Sequence, residues 1–131
     1  MQIKQLILVG LGGATGSILR YILQRVLTGL FPHAFPVGTF AVNIIGCFLI
    51  GLFYGWSERY AGISPEMRLL LMTGFCGGFT TFSAFTLEGM NLLSEQRFTI
   101  FFLYFALSVL LGLAATIAGA YISDSLNFHK T

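Results

Sequence analysis

Four long apolar runs dominate this 131-residue chain and limit it to one class of fold. They lie at about residues 3–24, 37–57, 69–87 and 98–123. Each is close to the roughly 20 residues that a helix needs to cross a bilayer. Hydrophobic residues make up 56% of the chain and charged residues only 9%, a composition that argues against a soluble core. We therefore predict an all-α integral membrane protein, with one four-helix domain over residues 1–131.

Turn residues and charges adjust the ends of these spans. The segment 64–66, Ser-Pro-Glu, supplies a serine cap, a proline at the first helical position and a carboxylate in the first turn. It places the third predicted span at about 66–95, while the other three keep the bounds of their apolar runs. The first run lacks a cleavage site of small residues and is followed by Arg20 and Arg25. We therefore interpret it as a helix and not as a signal peptide.

The third run contains the sequence GFCGGFTTFSAF at residues 74–85. Its glycines Gly77 and Gly78 each cost a helix about 1 kcal/mol relative to alanine. Three hydroxyl side chains follow them, those of Thr80, Thr81 and Ser83. Irregular backbone at membrane depth is tolerated only where it is buried in protein or lines a hydrated cavity. We therefore predict that the third helix is broken and that this segment is the functional part of the chain.

Other glycines are spaced for close helix packing. Gly12 and Gly16 are four residues apart in the first span, and Gly51 and Gly55 repeat that spacing in the second. Such spacing lets helix backbones approach one another in lipid. Chance matches are common in a chain with 16 glycines, so packing is the favoured interpretation and no ligand is implied.

Lysine and arginine are almost evenly divided between the two sides of the membrane. With four spans, one side carries Lys4, Arg59, Arg68 and Lys130, and the other carries Arg20, Arg25 and Arg97. Orientation normally follows a clear excess of these residues on the cytoplasmic side. Two interpretations stay open: a weak signal that the insertion machinery resolves, or a chain that inserts both ways and pairs with an inverted copy. The second would give the pair the inverted-repeat design of many transporters.

Polar side chains inside the spans indicate either interhelical hydrogen bonds or a hydrated path. Asn43 lies in the second run, where its amide must face another helix or water. Taken alone, an interhelical contact is the favoured role, although two N–H donors would also suit an anion. In the fourth run Tyr104, Ser108 and Thr116 fall on one helix stripe with Gly112.

Phe82 and Phe85 follow the glycine pair on the hydroxyl-rich segment. Most of the chain's 14 phenylalanines are expected to face lipid, but an aromatic ring also offers a positive edge. Ring edges with amide and hydroxyl donors, and no fixed cation, can hold a small anion weakly enough to release it, as conduction requires. The residues therefore favour an anion channel.

Three segments resemble the Fluc-type fluoride channels, also called the CrcB family. These segments are GGATGSILRY at 12–21, GTFAVNIIGCFLIG at 38–51 and GFCGGFTTFSAF at 74–85, and the resemblance covers essentially the whole chain. It implies a passive fluoride channel of the inner (plasma) membrane that exports fluoride from the cytoplasm and protects against its toxicity. It also implies an antiparallel, dual-topology homodimer with a structural sodium ion at the dimer interface.

The resemblance assigns roles to individual residues of this chain. The implied fluoride pathway comprises Asn43, Thr81, Phe82, Ser83, Phe85, Tyr104 and Ser108. Arg20 and Glu88 match positions at the pore entrance, with Glu88 expected at the end of the third span. Gly77 and Thr80 match positions whose backbone carbonyls hold the sodium ion. Ala84 departs from the threonine that is usual in the family, and Gly112 departs from a hydroxyl residue found in some members.

Other classes of protein fit the sequence less well. A small multidrug-type exporter would need a carboxylate inside its first span, and residues 5–19 contain none. A membrane enzyme would need a cluster of nucleophile, base or metal ligands, and neither His33 nor His129 has a suitable partner in the spans. The net charge of +2 is too small to suggest a nucleic-acid partner. We therefore expect a channel and not an enzyme.

Overall fold

The computed structural model describes residues 1–59 and 63–128, and within them every regular element is helical. Four helical stretches are long and apolar enough to cross a membrane: Ile3–Leu30, Val37–Glu58, Pro65–Ser94 and Phe98–Ser125. The predictions of an all-α protein and of four membrane-spanning segments are confirmed.

The helices have the following bounds. Helix α1 covers Ile3–Leu30 and α2 covers Val37–Arg59. The third span comprises α3 (Pro65–Arg68), a π-helix (Leu69–Cys76), α4 (Gly77–Phe79) and α5 (Phe82–Ser94). Helix α6 covers Phe98–Phe128. The first helix runs six residues beyond the predicted end at 24, because Arg25 ends the apolar run but is a good helix former.

The predicted start of the third span is present. Ser64 caps α3, with its side chain accepting a hydrogen bond from the Met67 backbone N–H at 3.2 Å. Pro65 is the first residue of the helix and Glu66 lies in its first turn, where a carboxylate interacts favourably with the helix dipole. Charged side chains near the ends of the spans also pair with one another, as Lys4 does with Glu66 at 3.8 Å.

The glycine pair itself is helical, which differs from the sequence-based expectation. Gly77 and Gly78 lie within α4, and the residues outside any helix are Thr80 and Thr81. Gly78 is required for packing, because an added Cβ would lie 3.0 Å from the Cα of Gly13 in α1. Gly78 therefore allows α4 to approach α1 closely, and the extended backbone begins two residues later, at Thr80.

Glycines also bring the other spans together. Gly12 and Gly16 are buried where α1 packs along the third span, and a Cβ at Gly12 would lie 2.8 Å from the Phe75 backbone nitrogen. Helix α2 packs along α6, with Gly51 facing the backbone of Thr116. The structure therefore places these glycines at helix–helix contacts, as their spacing predicts. A separate apolar cluster of Phe85, Leu92 and Tyr104 lies between α5 and α6.

Candidate functional site

Two extended residues separate α4 from α5 in the third span. Thr80 has φ −84° and ψ 157°, and Thr81 has φ −148° and ψ 117°. The Thr81 hydroxyl caps α5 by accepting a hydrogen bond from the Ala84 N–H at 3.1 Å. The Thr80 hydroxyl donates back to the Cys76 carbonyl at 3.0 Å. The two threonines thus satisfy the helix ends on either side of the interruption.

Asn43 on α2 holds the backbone of this interruption. Its Nδ2 donates to the Thr81 carbonyl at 3.1 Å, and its Oδ1 accepts from the Thr81 N–H at 2.8 Å. The side-chain amide therefore replaces both partners that Thr81 would have in a continuous helix. The interhelical role favoured for Asn43 is thus present, although the amide nitrogen has a second hydrogen that this contact does not use.

The interruption changes the hydrogen-bond partners of backbone groups on both of its sides. In a continuous helix, the Thr81 N–H would bond to the Gly77 carbonyl and the Ala84 N–H to the Thr80 carbonyl. Those two donors go instead to Asn43 and to the Thr81 hydroxyl. The Gly77 and Thr80 carbonyls therefore lose their helical donors, and both residues line one cleft.

Arg20 lies against this interruption and not at a free surface. Its Nε donates to the Gly78 carbonyl at 3.0 Å, from a partly buried position on α1. Because a hydrogen bond from a charged donor is stronger than a neutral one, Arg20 helps to fix the end of α4. No sequence spacing could have indicated this contact, since the two residues are 58 positions apart.

A cleft of about 460 Å³ brings most of the predicted pathway residues together. Five of them line it, from α2, the third span and α6: Asn43, Thr81, Phe82, Phe85 and Ser108. Ser83 and Tyr104 are absent from the lining. Ser83 is exposed, with its hydroxyl 3.4 Å from that of Thr81, whereas Tyr104 is fully buried. The lining also includes three sulfur side chains to which the sequence assigned no role, those of Cys47, Met72 and Cys76.

The two phenylalanines of the motif differ in exposure. Phe82 is 77% exposed and Phe85 is only 6% exposed, with their ring centroids 5.8 Å apart. Phe85 in turn contacts the Tyr104 ring at 5.0 Å and an interplanar angle of 64°. The three rings form a continuous series from the cleft into the protein.

Ser108 presents a buried hydroxyl to the same region. Its Oγ is shielded and makes no hydrogen bond within the described part of the chain. A buried polar atom without a partner is costly, so such an atom beside a cleft indicates a position where a polar ligand or water can bind.

A polar cluster joins all four spans near the loop that follows α1. Glu88 accepts a hydrogen bond from the Thr39 hydroxyl at 2.6 Å and another from the Tyr104 hydroxyl at 2.7 Å. Gln24 on α1 donates to the Thr39 oxygen at 3.0 Å. Glu88, which was expected at the end of the third span, lies within α5 and accepts hydrogen bonds from two hydroxyls. Sequence reasoning assigned no role to Gln24 or Thr39, because the partners of a carboxylate depend on how the helices pack.

Comparison with known proteins places this arrangement in a family. The model of the family described as "CrcB-like protein, Camphor Resistance (CrcB)" matches residues 7–120. The chain is 46% identical to a Flavobacterium psychrophilum protein over 123 residues, 94% of this chain and 99% of that one. It is 48% identical to a Bacteroides fragilis protein over 92% of this chain and 97% of that one, and 48% identical to one from Rhizobium johnstonii over 93% and 98%. Each of these relatives bears the name "Fluoride-specific ion channel FluC". A family match over most of the chain and close similarity over nearly its whole length mean that this multi-pass membrane protein belongs to the CrcB family.

Proposed function

We propose that this chain forms a fluoride-selective, passive ion channel that exports fluoride from the cytoplasm. The observation that carries the proposal is the close similarity, over more than nine-tenths of the chain, to proteins named fluoride-specific ion channels. The cleft beside the interrupted third span gives the proposal a physical basis, since it gathers polar donors and aromatic rings from three spans. Among the residues that line it there is no lysine, arginine or carboxylate.

The cleft suits a small anion that must bind and leave quickly. Ring edges are weakly positive, and the buried Ser108 hydroxyl is a donor without a partner in the described part of the chain. The Asn43 amide adds a second hydrogen on Nδ2. A fixed cation at such depth would hold fluoride too long, whereas several weak donors allow exchange between sites.

The path continues from the cleft toward the polar cluster at Glu88. Phe82, Phe85 and Tyr104 follow one another with ring centroids 5.8 and 5.0 Å apart. The Tyr104 hydroxyl donates a hydrogen bond to Glu88, and Arg20 donates one to the Gly78 carbonyl in α4. Fluoride would therefore pass along ring edges toward Glu88, whose two carboxylate oxygens each accept a hydrogen bond from a hydroxyl.

A second, inverted copy is the partner that best completes this channel. Phe82 is 77% exposed beside the cleft, which is also lined by Gly77 and Thr80, whose carbonyls have lost their helical donors. Lipid cannot satisfy such carbonyls, so another protein surface is needed to cover them. The even division of lysine and arginine supports insertion in both orientations and thus an antiparallel homodimer in the inner membrane.

The same interface offers a site for a structural sodium ion. No cluster of three or more His, Cys, Asp or Glu side chains suitable for a metal occurs in the described residues. The Gly77 and Thr80 carbonyls have lost their helical donors and line the cleft, which fits a hard cation that prefers oxygen ligands. Two carbonyls from each copy would hold the ion, and its charge would stabilise the broken third helices of both copies where they meet.

Growth of fluoride-sensitive cells tests the proposed function. Cells without a fluoride exporter of their own should grow at an otherwise toxic fluoride concentration when they express this chain. Expression of the Phe82→Ile, Phe85→Ile double variant at equal membrane abundance is the matched control and should give little protection. Equal sensitivity of cells with and without the unmodified chain, at confirmed expression, would contradict the proposal.

A further inference from the structure

We propose that Phe35, in the loop between α1 and α2, is a positioning residue that holds Tyr104 in place for Glu88 at the loop end of the path. This inference rests on the proposed fluoride channel and assigns a role to a loop residue outside the motifs of the spans.

Tyr104 is held at both of its ends. Its side chain is 0% exposed, and its hydroxyl donates to Glu88 at 2.7 Å. Three rings contact its own ring within the described residues: Phe85 on α5, Phe105 on α6 and Phe35. Phe85 and Phe105 lie on helices, whereas Phe35 lies in the loop at residues 31–36. The side of Tyr104 that faces the loop therefore depends on Phe35.

The contact between Phe35 and Tyr104 is an edge contact of defined geometry. Their ring centroids are 5.4 Å apart, with an interplanar angle of 74°. Edge-to-face pairs of this kind stabilise by more than the area they bury. Because the Tyr104 hydroxyl is fixed to Glu88, a shift of the Tyr104 ring would lengthen that hydrogen bond.

The loop is itself anchored, so that Phe35 can serve as a fixed support. The Phe35 carbonyl accepts from the Val37 N–H at 2.8 Å, immediately before α2 begins. Its ring also contacts Phe40 on α2, with centroids 5.3 Å apart at 76°. Phe35 thus contacts both Phe40 on α2 and Tyr104 on α6, and so fixes Tyr104 relative to α2.

The position of the loop explains why such a support matters for an ion. Ala34 and Pro36, the neighbours of Phe35, line a polar cavity of about 230 Å³ together with Glu88, Asn91 and Glu95. Glu88 therefore faces this cavity on one side and the Tyr104 hydroxyl on the other. If the Tyr104 hydroxyl moved away, the Glu88 carboxylate would lose a donor and repel an anion that arrives along the rings.

Fluoride flux in a double-mutant cycle tests this role on the full-length protein in liposomes. Phe35→Leu keeps apolar volume and removes the ring, and Tyr104→Phe keeps the ring and removes the hydroxyl. Each should lower the fluoride rate by about tenfold, the effect of weakening one hydrogen bond to a charged group. If Phe35 acts through the Tyr104 hydroxyl, the double variant should be no slower than Tyr104→Phe alone.

The controls separate positioning from general packing. Phe35→Tyr keeps the ring, so its fluoride rate should stay within about twofold of that of the unmodified protein, a difference no larger than the usual error of additivity. Phe102→Leu, on the exposed face of α6, is the matched control and should leave the rate unchanged. Should Phe35→Leu fail to elute as a folded protein, Phe35→Met supplies a second variant without a ring.

Two outcomes would overturn the inference. If the penalties of Phe35→Leu and Tyr104→Phe multiply in the double variant, Phe35 acts independently of the Tyr104–Glu88 bond. If Phe35→Leu and Phe35→Met both conduct at the unmodified rate, the ring has no positioning role. Both results leave the channel function intact, whereas an unmodified protein without fluoride flux would overturn the channel and this inference together.

Discussion

The side chain of Asn43 and the backbone of Thr81 are joined by two hydrogen bonds across the α2 interface with the third span. One amide group thereby satisfies both the N–H and the C=O of a residue that lies outside any helix, at 2.8 and 3.1 Å. In lipid these two groups would otherwise cost several kcal/mol. The contact thus allows the interruption between α4 and α5 to exist at membrane depth.

Removal of the Asn43 amide should therefore damage both folding and conduction. Asn43→Ala leaves two backbone groups of Thr81 without this partner, at a cost of about 1–3 kcal/mol each. We expect a lower thermal unfolding temperature in detergent and a strong loss of fluoride flux. Thr15→Ala is the matched control, because the Thr15 hydroxyl donates only to Leu11 of its own helix. Equal unfolding temperatures for the two variants would show that the Asn43 contact adds no stability.

The rings of Phe82 and Phe85 should be needed for fluoride conduction, and the exposed ring of Phe82 should not be needed for folding. Phe82→Ile and Phe85→Ile remove the positive ring edge and keep apolar volume. Each should lower the rate of fluoride flux by about tenfold or more, because the loss of one weak interaction raises the barrier to conduction. Phe82 is the cleaner test, since its ring is exposed within the single chain whereas Phe85 belongs to the buried cluster. Phe102→Ile should conduct normally. Indistinguishable rates for Phe82→Ile and Phe102→Ile would assign Phe82 to packing.

Gly77 offers a test of the proposed dimer that is independent of flux. Within one chain an added Cβ at Gly77 meets nothing within 4 Å, so Gly77→Ala carries no steric cost in the single chain. If the third span of a second copy packs closely against Gly77, the added methyl group would clash with it. We therefore expect Gly77→Ala to weaken the dimer in detergent, measured by light scattering. Gly10→Ala, also without neighbours within 4 Å, should leave the dimer unchanged. A Gly77→Ala dimer as stable as the unmodified one would contradict close packing there.

Membrane orientation should respond to small changes in charge. A reporter fused to the C-terminus should be found on both sides of the membrane, because lysine and arginine are nearly balanced. Two or three lysines added near the C-terminus should force one orientation and abolish fluoride flux. Co-expression with an oppositely biased copy should restore it. A reporter confined to the cytoplasm, together with undiminished flux, would rule out the antiparallel pair.

The four spans could be predicted from sequence because hydropathy and helix length are local properties. The start of α3 at Ser64 and Pro65 was predictable for the same reason, since capping depends on neighbouring residues. The sequence placed the departure from regular helix at the glycine pair, whereas Gly77 and Gly78 are helical and the extended residues are Thr80 and Thr81. Close packing of Gly78 against α1 compensates for its low helix propensity.

The contacts of the candidate site required the structure. Asn43 and Thr81 are 38 residues apart, and Thr39 and Glu88 are 49 apart, so their pairing depends on how whole helices pack. The position of Ser83 outside the cleft lining likewise depends on the rotation of α5 about its axis. Composition could identify the residue types of the path but not which of them face it.

Fluoride release from liposomes that hold the purified protein tests the central claim most directly. With a potassium ionophore to balance charge and no proton gradient, a fluoride electrode should record rapid release, and chloride release should be far slower. Rapid release is expected because the cleft lining offers weak donors and no fixed cation, and the preference for fluoride is expected from the similarity to proteins named fluoride-specific ion channels. Equal fluoride and chloride rates, or fluoride release that occurs only while a proton gradient is maintained, would contradict a passive fluoride-selective channel.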